Sequence, residues 1–240
     1  MVLRYQPIVT TDRSVAGLEA LLRWRHPDAG FLEPARFIPL AEGNGRILDL
    51  GSWVIHQATQ DAERWRETLR RPDLVVCVNV SPIQLGHAGL VETTAAALAA
   101  SRSDPATLNL EITESTWVRQ REVGAEILRA LRTLGVRISI DDFGTGYSSL
   151  IQLRSLPADF LKVDRSFIRG VGARAEDTAI VSGVIGLARA WGMKVVAEGV
   201  ETERQVRALT DLGCDLLQGN RLSPALPPEA VPGALRRFSG

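Results

Sequence analysis

The chain has 240 residues, of which 45% are hydrophobic, and its mean hydropathy is +0.02. This is enough for one large buried core, so we expect a single domain over residues 1–240. The 28 basic and 28 acidic residues balance, which excludes a general electrostatic attraction to DNA or to an anionic membrane. The sequence has no membrane-spanning apolar run and no signal-peptide pattern, and Cys77 and Cys214 lie in apolar surroundings. We therefore expect a cytoplasmic domain with reduced thiols.

Short β-rich segments alternate with longer amphipathic segments along most of the chain. Strands are predicted at 3–10, 15–24, 74–80, 107–113, 136–141, 159–164, 193–198 and 215–219. Helices are predicted at 34–42, 46–70, 89–100, 123–134, 148–156, 176–191 and 203–212. This alternation predicts an α/β fold, a (β/α)8 TIM-like barrel, with one antiparallel strand at the N-terminus. The alternative is an open doubly wound sheet, but no Gly-x-Gly-x-x-Gly follows the first strand.

The segment 138–150 joins a strand to a glycine-rich loop. Alternation gives the strand one apolar and one polar face, with Asp141 on the polar face, and would direct Asp142 the other way. Both carboxylates can face one site only if the backbone turns, which Gly144 and Gly146 permit because glycine accepts positive φ. Two adjacent carboxylates need a cation, a shared proton or open water. A solvated Asp-Asp turn is the alternative interpretation.

Polar side chains stand at the carboxyl end of most predicted strands, and in a β/α barrel these ends meet at one mouth. The residues are Glu19, Asn79, Glu111, Asp141, Asp142, Lys162, Asp164, Glu198 and Gln218. Their carboxylates outnumber the nearby cations, chiefly Arg23 and Lys162. Carboxylate and amide oxygens favour Mg²⁺ or Mn²⁺ over zinc, and the three histidines lack metal-ligand spacing.

Lysine is rare here, since Lys162 and Lys194 are the only lysines among the 28 basic residues. Lys194 begins its strand and is expected at the far end of the barrel. Lys162 ends its strand beside the acidic residues, where a compact ammonium can hold or polarise a water molecule. A structural salt bridge to Asp164 is the alternative.

A series of short motifs carries a family resemblance. The first is Glu19-Ala20-Leu21, within 17–24. Others stand at 5–9, 37–42, 78–81, 110–114, 141–146, 161–164, 196–201 and 218–219. Together they resemble the EAL-domain cyclic di-GMP phosphodiesterases over nearly the whole chain. A three-residue motif alone has little specificity, but so many motifs in order are specific.

The resemblance implies an enzyme that opens cyclic di-GMP to linear pGpG with two Mg²⁺ or Mn²⁺ ions. By similarity, Glu19, Asn79, Glu111 and Asp141 hold one ion, and Asp141, Asp142 and Glu198 hold the second. Lys162 and Gln218 are implied to position the attacking water near Glu198, and Gln6, Arg23 and Asp164 to contact the substrate. Glu114 is implied to anchor the loop after Asp142, and Glu201 to support the site from outside.

The resemblance also implies a homodimer, with regulatory or GGDEF-type domains in a longer protein from which this segment would be excised. One segment departs from the family pattern, because residues 220–224 lack the usual aromatic residues. Leu222 replaces a ring that would pack on a guanine, and such a stack contributes about 1–3 kcal/mol. Two alternatives to an enzyme remain open. The chain could be a receptor that binds cyclic di-GMP without turnover, or a scaffold whose barrel only dimerises.

Overall fold

The computed structural model describes residues 1–145 and 156–238. The strands in these ranges are β1 Val2–Thr10, β2 Val15–His26, β3 Gly30–Leu32, β4 Val75–Asn79, β5 Leu108–Thr113, β6 Arg137–Phe143, β7 Phe160–Val163, β8 Lys194–Ala197 and β9 Leu216–Gln218. The α-helices are α1 Pro34–Gly43, α2 Ile47–Leu69, α3 Pro82–Leu85, α4 Gly89–Ser101, α5 Glu114–Arg119, α6 Arg121–Thr133, α7 Arg165–Ile168, α8 Ala175–Ala190, α9 Glu203–Asp211 and α10 Val231–Arg237. The helix predicted at 148–156 falls almost wholly outside the described residues. None of the described helices has the length and apolar content needed to cross a bilayer.

Eight strands close into a barrel in the order β1-β9-β8-β7-β6-β5-β4-β2, and pairing of β1 with β2 completes the ring. β1 is antiparallel to both of its neighbours, whereas the other strands of the ring are parallel. β3 pairs with β2 and lies outside the ring. The predicted (β/α)8 barrel with an antiparallel N-terminal strand is therefore confirmed, and the open-sheet alternative is wrong.

Alternation along the strands separates two apolar regions. Ile138 and Ile140 belong to the main core, which lies between the barrel and its helices. A smaller cluster of Ile8, Cys77 and Val196 packs on the inward face. Both cysteines, Cys77 and Cys214, are buried and free, as the sequence predicts. The same inward face carries the polar residues at the carboxyl ends of the strands, so the barrel interior changes from apolar to polar along its axis.

Three short helices directly follow strands and were not predicted: α3, α5 and α7. Each begins with a side-chain cap, in which Ser81, Thr113 or Asp164 accepts a hydrogen bond from a backbone amide. These helices are too short to show a helical period in the sequence. They turn the chain sharply at the carboxyl ends of β4, β5 and β7.

Tyr5 links the barrel to α2. Its buried hydroxyl donates to Asp61 Oδ2 at 2.7 Å, and burial, together with the Asp61 charge, raises the pKa of Tyr5 so that the hydroxyl stays protonated. We expect Tyr5→Phe to lower the free energy of unfolding by about 1–3 kcal/mol, because a buried acceptor loses its donor. Urea unfolding in a double-mutant cycle with Asp61→Asn measures the coupling. A loss below about 0.3 kcal/mol would contradict this expectation.

Candidate functional site

The ammonium group of Lys162 lies inside the barrel among four carboxylates. Its Nζ is 2.7 Å from Glu198 Oε1, 2.8 Å from Glu111 Oε2, 3.3 Å from Asp141 Oδ1 and 3.6 Å from Glu19 Oε2. Only 1% of the lysine is exposed. Glu19, Glu111 and Asp141 lie on β2, β5 and β6, and Glu198 directly follows β8. Residues far apart in sequence therefore form one group. We call these five side chains the carboxylate cluster.

Asp142 joins two members of this cluster. Asp141, Asp142 and Glu198 each offer an oxygen, and these oxygens lie within 4.8 Å of one another. Asp142 has a left-handed backbone with φ 54°, and the pairing of β6 with β7 shifts register beside it. The turn that the sequence places at Gly144 and Gly146 therefore begins at Asp142 itself; Gly144 follows with φ 95°, and Gly146 is not among the described residues. A non-glycine residue in this conformation is strained, and such strain is concentrated at functional sites.

Two amide side chains hold Glu19 in place. Asn79 Nδ2 donates to Oε1 at 2.8 Å, and Gln218 Nε2 donates to Oε2 at 2.6 Å. Gln218 also donates to Gln6 Oε1 at 3.3 Å. The buried atoms Gln218 Oε1 and Glu111 Oε1 accept no hydrogen bond within the described structure. Since an unpartnered buried oxygen is unfavourable, these atoms fit a site that a cation or water completes.

Burial and mutual repulsion disfavour full ionisation of the cluster. Burial raises the pKa of Glu198 to about 8, and Asp141 and Glu19 add to this, although Lys162 opposes it. Burial likewise raises the pKa of Glu111 well above its usual range, again against Lys162. Glu19 differs from these two residues. Burial, the largest single effect, raises its pKa, but Lys162 and the two amide donors together outweigh burial and lower the pKa.

The same balance acts on Lys162 and Asp142. Burial lowers the pKa of Lys162, but the surrounding carboxylates, Asp141 first, raise it well above its usual range. For Asp142, burial and the charges of Asp141 and Asp164 raise the pKa. The ammonium thus remains charged, and the acidic groups around it exceed what one positive charge can neutralise. A divalent cation would relieve this excess.

Gln6 and Glu114 fix neighbouring segments to the site. Gln6 Nε2 donates to the Ser223 carbonyl at 3.1 Å, a contact that sequence reasoning missed. No motif in the sequence points to it, because the contact uses the backbone of Ser223. Glu114 is buried, and its Oε2 accepts from the amide of Gly144 at 3.0 Å. Glu114 therefore contacts the loop that follows Asp142.

The other predicted site residues make contacts outside the cluster. Arg23 is half-buried and its Nη1 donates to the Leu22 carbonyl at 2.9 Å. Asp164 caps α7 by accepting from Ser166 N at 2.9 Å, and within the described ranges it forms no ion pair with Lys162. The alternative interpretation of Lys162, a structural salt bridge to Asp164, is therefore not found there. Glu201 is exposed, and its backbone amide donates to Gln205 Oε1 at 2.9 Å.

The fold and the site together define a class of protein: a β/α barrel whose carboxyl-end mouth carries hard oxygen donors suited to divalent cations. Comparison with known proteins gives the family. The sequence model of the EAL domain family matches residues 1–225. The chain therefore belongs to the EAL domain family, as the motifs indicate.

Named relatives agree with this assignment. The chain is 46% identical over 232 residues, 96% of its length, to the bifunctional diguanylate cyclase/cyclic di-GMP phosphodiesterase MucR of Pseudomonas aeruginosa, of which it covers 34%. It is 45% identical over 237 residues, 98% of its length, to the cyclic di-GMP phosphodiesterase NbdA of the same organism, of which it covers 30%. The chain thus spans about a third of the length of these curated relatives.

A solved structure is similar over the whole barrel. The PaMucR phosphodiesterase in complex with c-di-GMP superposes with a TM-score of 0.90 at 46% identity, covering 96% of this chain and 93% of the other. The fold of the present chain is therefore that of a protein solved with a cyclic dinucleotide bound.

Proposed function

We propose that this chain hydrolyses cyclic di-GMP to linear pGpG at the carboxylate cluster. The observation that carries the proposal is the burial of Lys162 among four carboxylates with Asp142 beside them. The relatives MucR and NbdA are both named as cyclic di-GMP phosphodiesterases, and the PaMucR structure is a complex with c-di-GMP. These support the same substrate for this chain.

We assign two divalent cations, Mg²⁺ or Mn²⁺, to the mouth of the barrel. The proposed ligands are Glu19, Asn79, Glu111 and Asp141 for one ion, and Asp141, Asp142 and Glu198 for the other. Hard oxygen donors of this kind suit both metals. Asn79 donates through its Nδ2 to Glu19. For Oδ1 to bind the cation instead, the side-chain amide must rotate by about 180°. Glu111 Oε1 is already free of hydrogen bonds.

Bound divalent cations supply Lewis-acid activation of the water and of the phosphate oxygens. The chain's own groups orient the reactants. Lys162 and Gln218 hold the attacking water beside Glu198, and Arg23 donates its forked N–H groups to a phosphate oxygen. Gln6 and Asp164 contact the rest of the dinucleotide, while Glu114 and Glu201 support the site through the adjoining loops.

The proposed reaction is an in-line displacement at phosphorus. The water oxygen bonds to phosphorus, and the P–O3′ bond breaks. The water gives up a proton to a cluster carboxylate, and O3′ takes up a proton to become the 3′-hydroxyl of pGpG. We further propose that the chain, a single domain, acts as a homodimer within a longer cytoplasmic signalling protein.

We expect hydrolysis to require added metal. With Mg²⁺ or Mn²⁺, chromatography should show pGpG accumulating as cyclic di-GMP disappears. EDTA should stop the reaction and excess metal should restore it, because the cluster would hold the cations that supply Lewis-acid activation of the water. Product formation that continues undiminished in EDTA would contradict the proposal.

Glu19→Ala separates the proposed enzyme from its two alternatives. In an enzyme, the substitution abolishes turnover because it removes a metal ligand. For a receptor, calorimetry would show binding of cyclic di-GMP while no metal supports turnover. Residues 220–224 would then be the next to substitute; Leu222 in this segment is half-buried and packs on the main core. A scaffold would dimerise equally well with either residue.

A further inference from the structure

A cavity lies inside the barrel, between the carboxylate cluster, whose Glu111 borders it, and the amino ends of the strands. Its volume is about 300 Å³, the low end of the range for small-molecule sites. Its wall is mostly apolar and is formed by Ile8, Val75, Cys77, Phe160, Val196 and Leu216. We call this space the lower cavity. Val75, Phe160 and Leu216 are the first residues of their strands, which places the opening at the amino ends.

The lower cavity is bordered by a buried side chain with an unused hydrogen-bond acceptor. Asn109 borders the cavity and is only 3% exposed. Its Nδ2 donates to Ser139 Oγ at 2.6 Å and to Cys77 Sγ at 3.3 Å, whereas its Oδ1 has no partner within the described structure. A molecule in the cavity is favoured if it offers an O–H or N–H to this oxygen. Glu111 also borders the cavity, and its Oε1 likewise has no partner within the described structure.

The rim of the lower cavity is positively charged. Arg137 and Lys194 begin β6 and β8 and border the cavity. Among the residues described, neither has a carboxylate within 4.0 Å. The acid at the rim, Asp73, already pairs with Arg71 at 3.0 Å. Within the described ranges these two cations at the opening therefore lack a carboxylate partner, and they suit a carboxylate ligand.

We propose that the lower cavity is a second ligand site and that it binds a short hydroxycarboxylate. The carboxylate lies between Arg137 and Lys194, the carbon chain contacts the apolar wall, and the hydroxyl donates to Asn109 Oδ1. A neutral donor is favoured over an ammonium group because the two rim cations, together with Lys162 at 2.8 Å from Glu111, repel a further positive charge. This site opens at the amino ends of the strands, and although Glu111 borders both it and the mouth, its test does not depend on turnover.

The test uses 3-hydroxybutyrate as the probe, with the intact chain in EDTA so that metal at the mouth cannot recruit the carboxylate. Calorimetry and methyl NMR follow binding, and the methyl resonances of Ile8, Val75 and Val196 report its location. We expect one saturable site with shifts at these methyl groups. Butyrate, which lacks the hydroxyl, should bind about fivefold or more weakly, and 1,3-butanediol, which lacks the carboxylate, about tenfold or more weakly.

The variant of choice changes only the rim, because substitution of buried Asn109 could unfold the barrel. Arg137→Gln with Lys194→Gln should weaken 3-hydroxybutyrate about tenfold or more, whereas Arg207→Gln, on the exposed face of α9, should not. The proposal is overturned if the three probes bind equally, if the rim variant binds like the native chain, or if no methyl shift appears in the lower cavity.

Discussion

Replacing Lys162 by Met is expected to lower the free energy of unfolding by about 3–5 kcal/mol in EDTA, because buried carboxylates then lose their cation. Methionine has a similar length, so the loss reflects charge rather than volume. Four carboxylates lie within 3.6 Å of Nζ and would face one another without compensation. Turnover should fall at least about a hundredfold if Lys162 positions the attacking water.

The effect of Lys162→Met should depend on pH. Glu198 has a pKa of about 8 against an ordinary value of 4.5, so the folded state favours its protonated form. The stability from that protonation is fully present below pH 4.5 and is lost as the pH rises through 8. Without Lys162 the carboxylates of the folded state retain protons still more strongly. The difference in free energy of unfolding between the native chain and Lys162→Met should therefore grow from pH 5 to pH 8.

Urea unfolding of both chains at pH 5 and pH 8 measures this effect, with Arg207→Met on the exposed face of α9 as the control. Added Mn²⁺ should restore part of the lost stability, because a ligand that binds only the folded state stabilises it. A Lys162→Met chain as stable as the native one at pH 8 in EDTA would show that the ammonium does not neutralise the cluster.

Asp141→Asn is expected to reduce turnover of cyclic di-GMP at least about a thousandfold, because Asp141 would help to hold both proposed cations, which would supply Lewis-acid activation of the water. The side chain keeps its shape but loses its charge. It stands 3.3 Å from Lys162 Nζ and close to the oxygens of Asp142 and Glu198. Substrate affinity should change by less than about tenfold, since Gln6, Arg23 and Asp164 are proposed to supply most of the contacts.

Single-turnover kinetics and calorimetry separate these two effects. Asp211→Asn is the matched control, because this exposed aspartate ends α9 away from the mouth. It should leave turnover and affinity unchanged. Retention of more than about a tenth of the native turnover by Asp141→Asn would remove this residue from the proposed machinery.

The barrel and the grouping of its polar residues could be anticipated because both follow from periodicity. Glu19, Asn79 and Glu111 share the inward face of adjacent strands in register, with Glu19 paired to Cys77 and Asn79 paired to Glu111. Parallel strands bring such positions to the same end of a barrel. The expectation that Lys194 lies at the far end has the same basis, since this residue begins β8 and borders the lower cavity.

Features that depend on single backbone angles or long side chains could not be read from the sequence. The left-handed φ of Asp142 is unusual for a residue with a side chain, and periodicity would direct its carboxylate away from Asp141. Lys162 reaches four carboxylates, whereas the neighbouring Asp164 caps α7. Sequence spacing shows which residues share a face, but it does not show how far each side chain extends.

The most direct test of the proposed hydrolysis is incubation of the native chain with cyclic di-GMP and Mn²⁺ in ¹⁸O-enriched water, followed by mass spectrometry of the product. Attack of water on phosphorus predicts pGpG with one ¹⁸O atom on its terminal phosphate, formed only when metal is present. Intact cyclic di-GMP under these conditions, with binding still seen by calorimetry, would contradict the enzyme and make the chain a receptor.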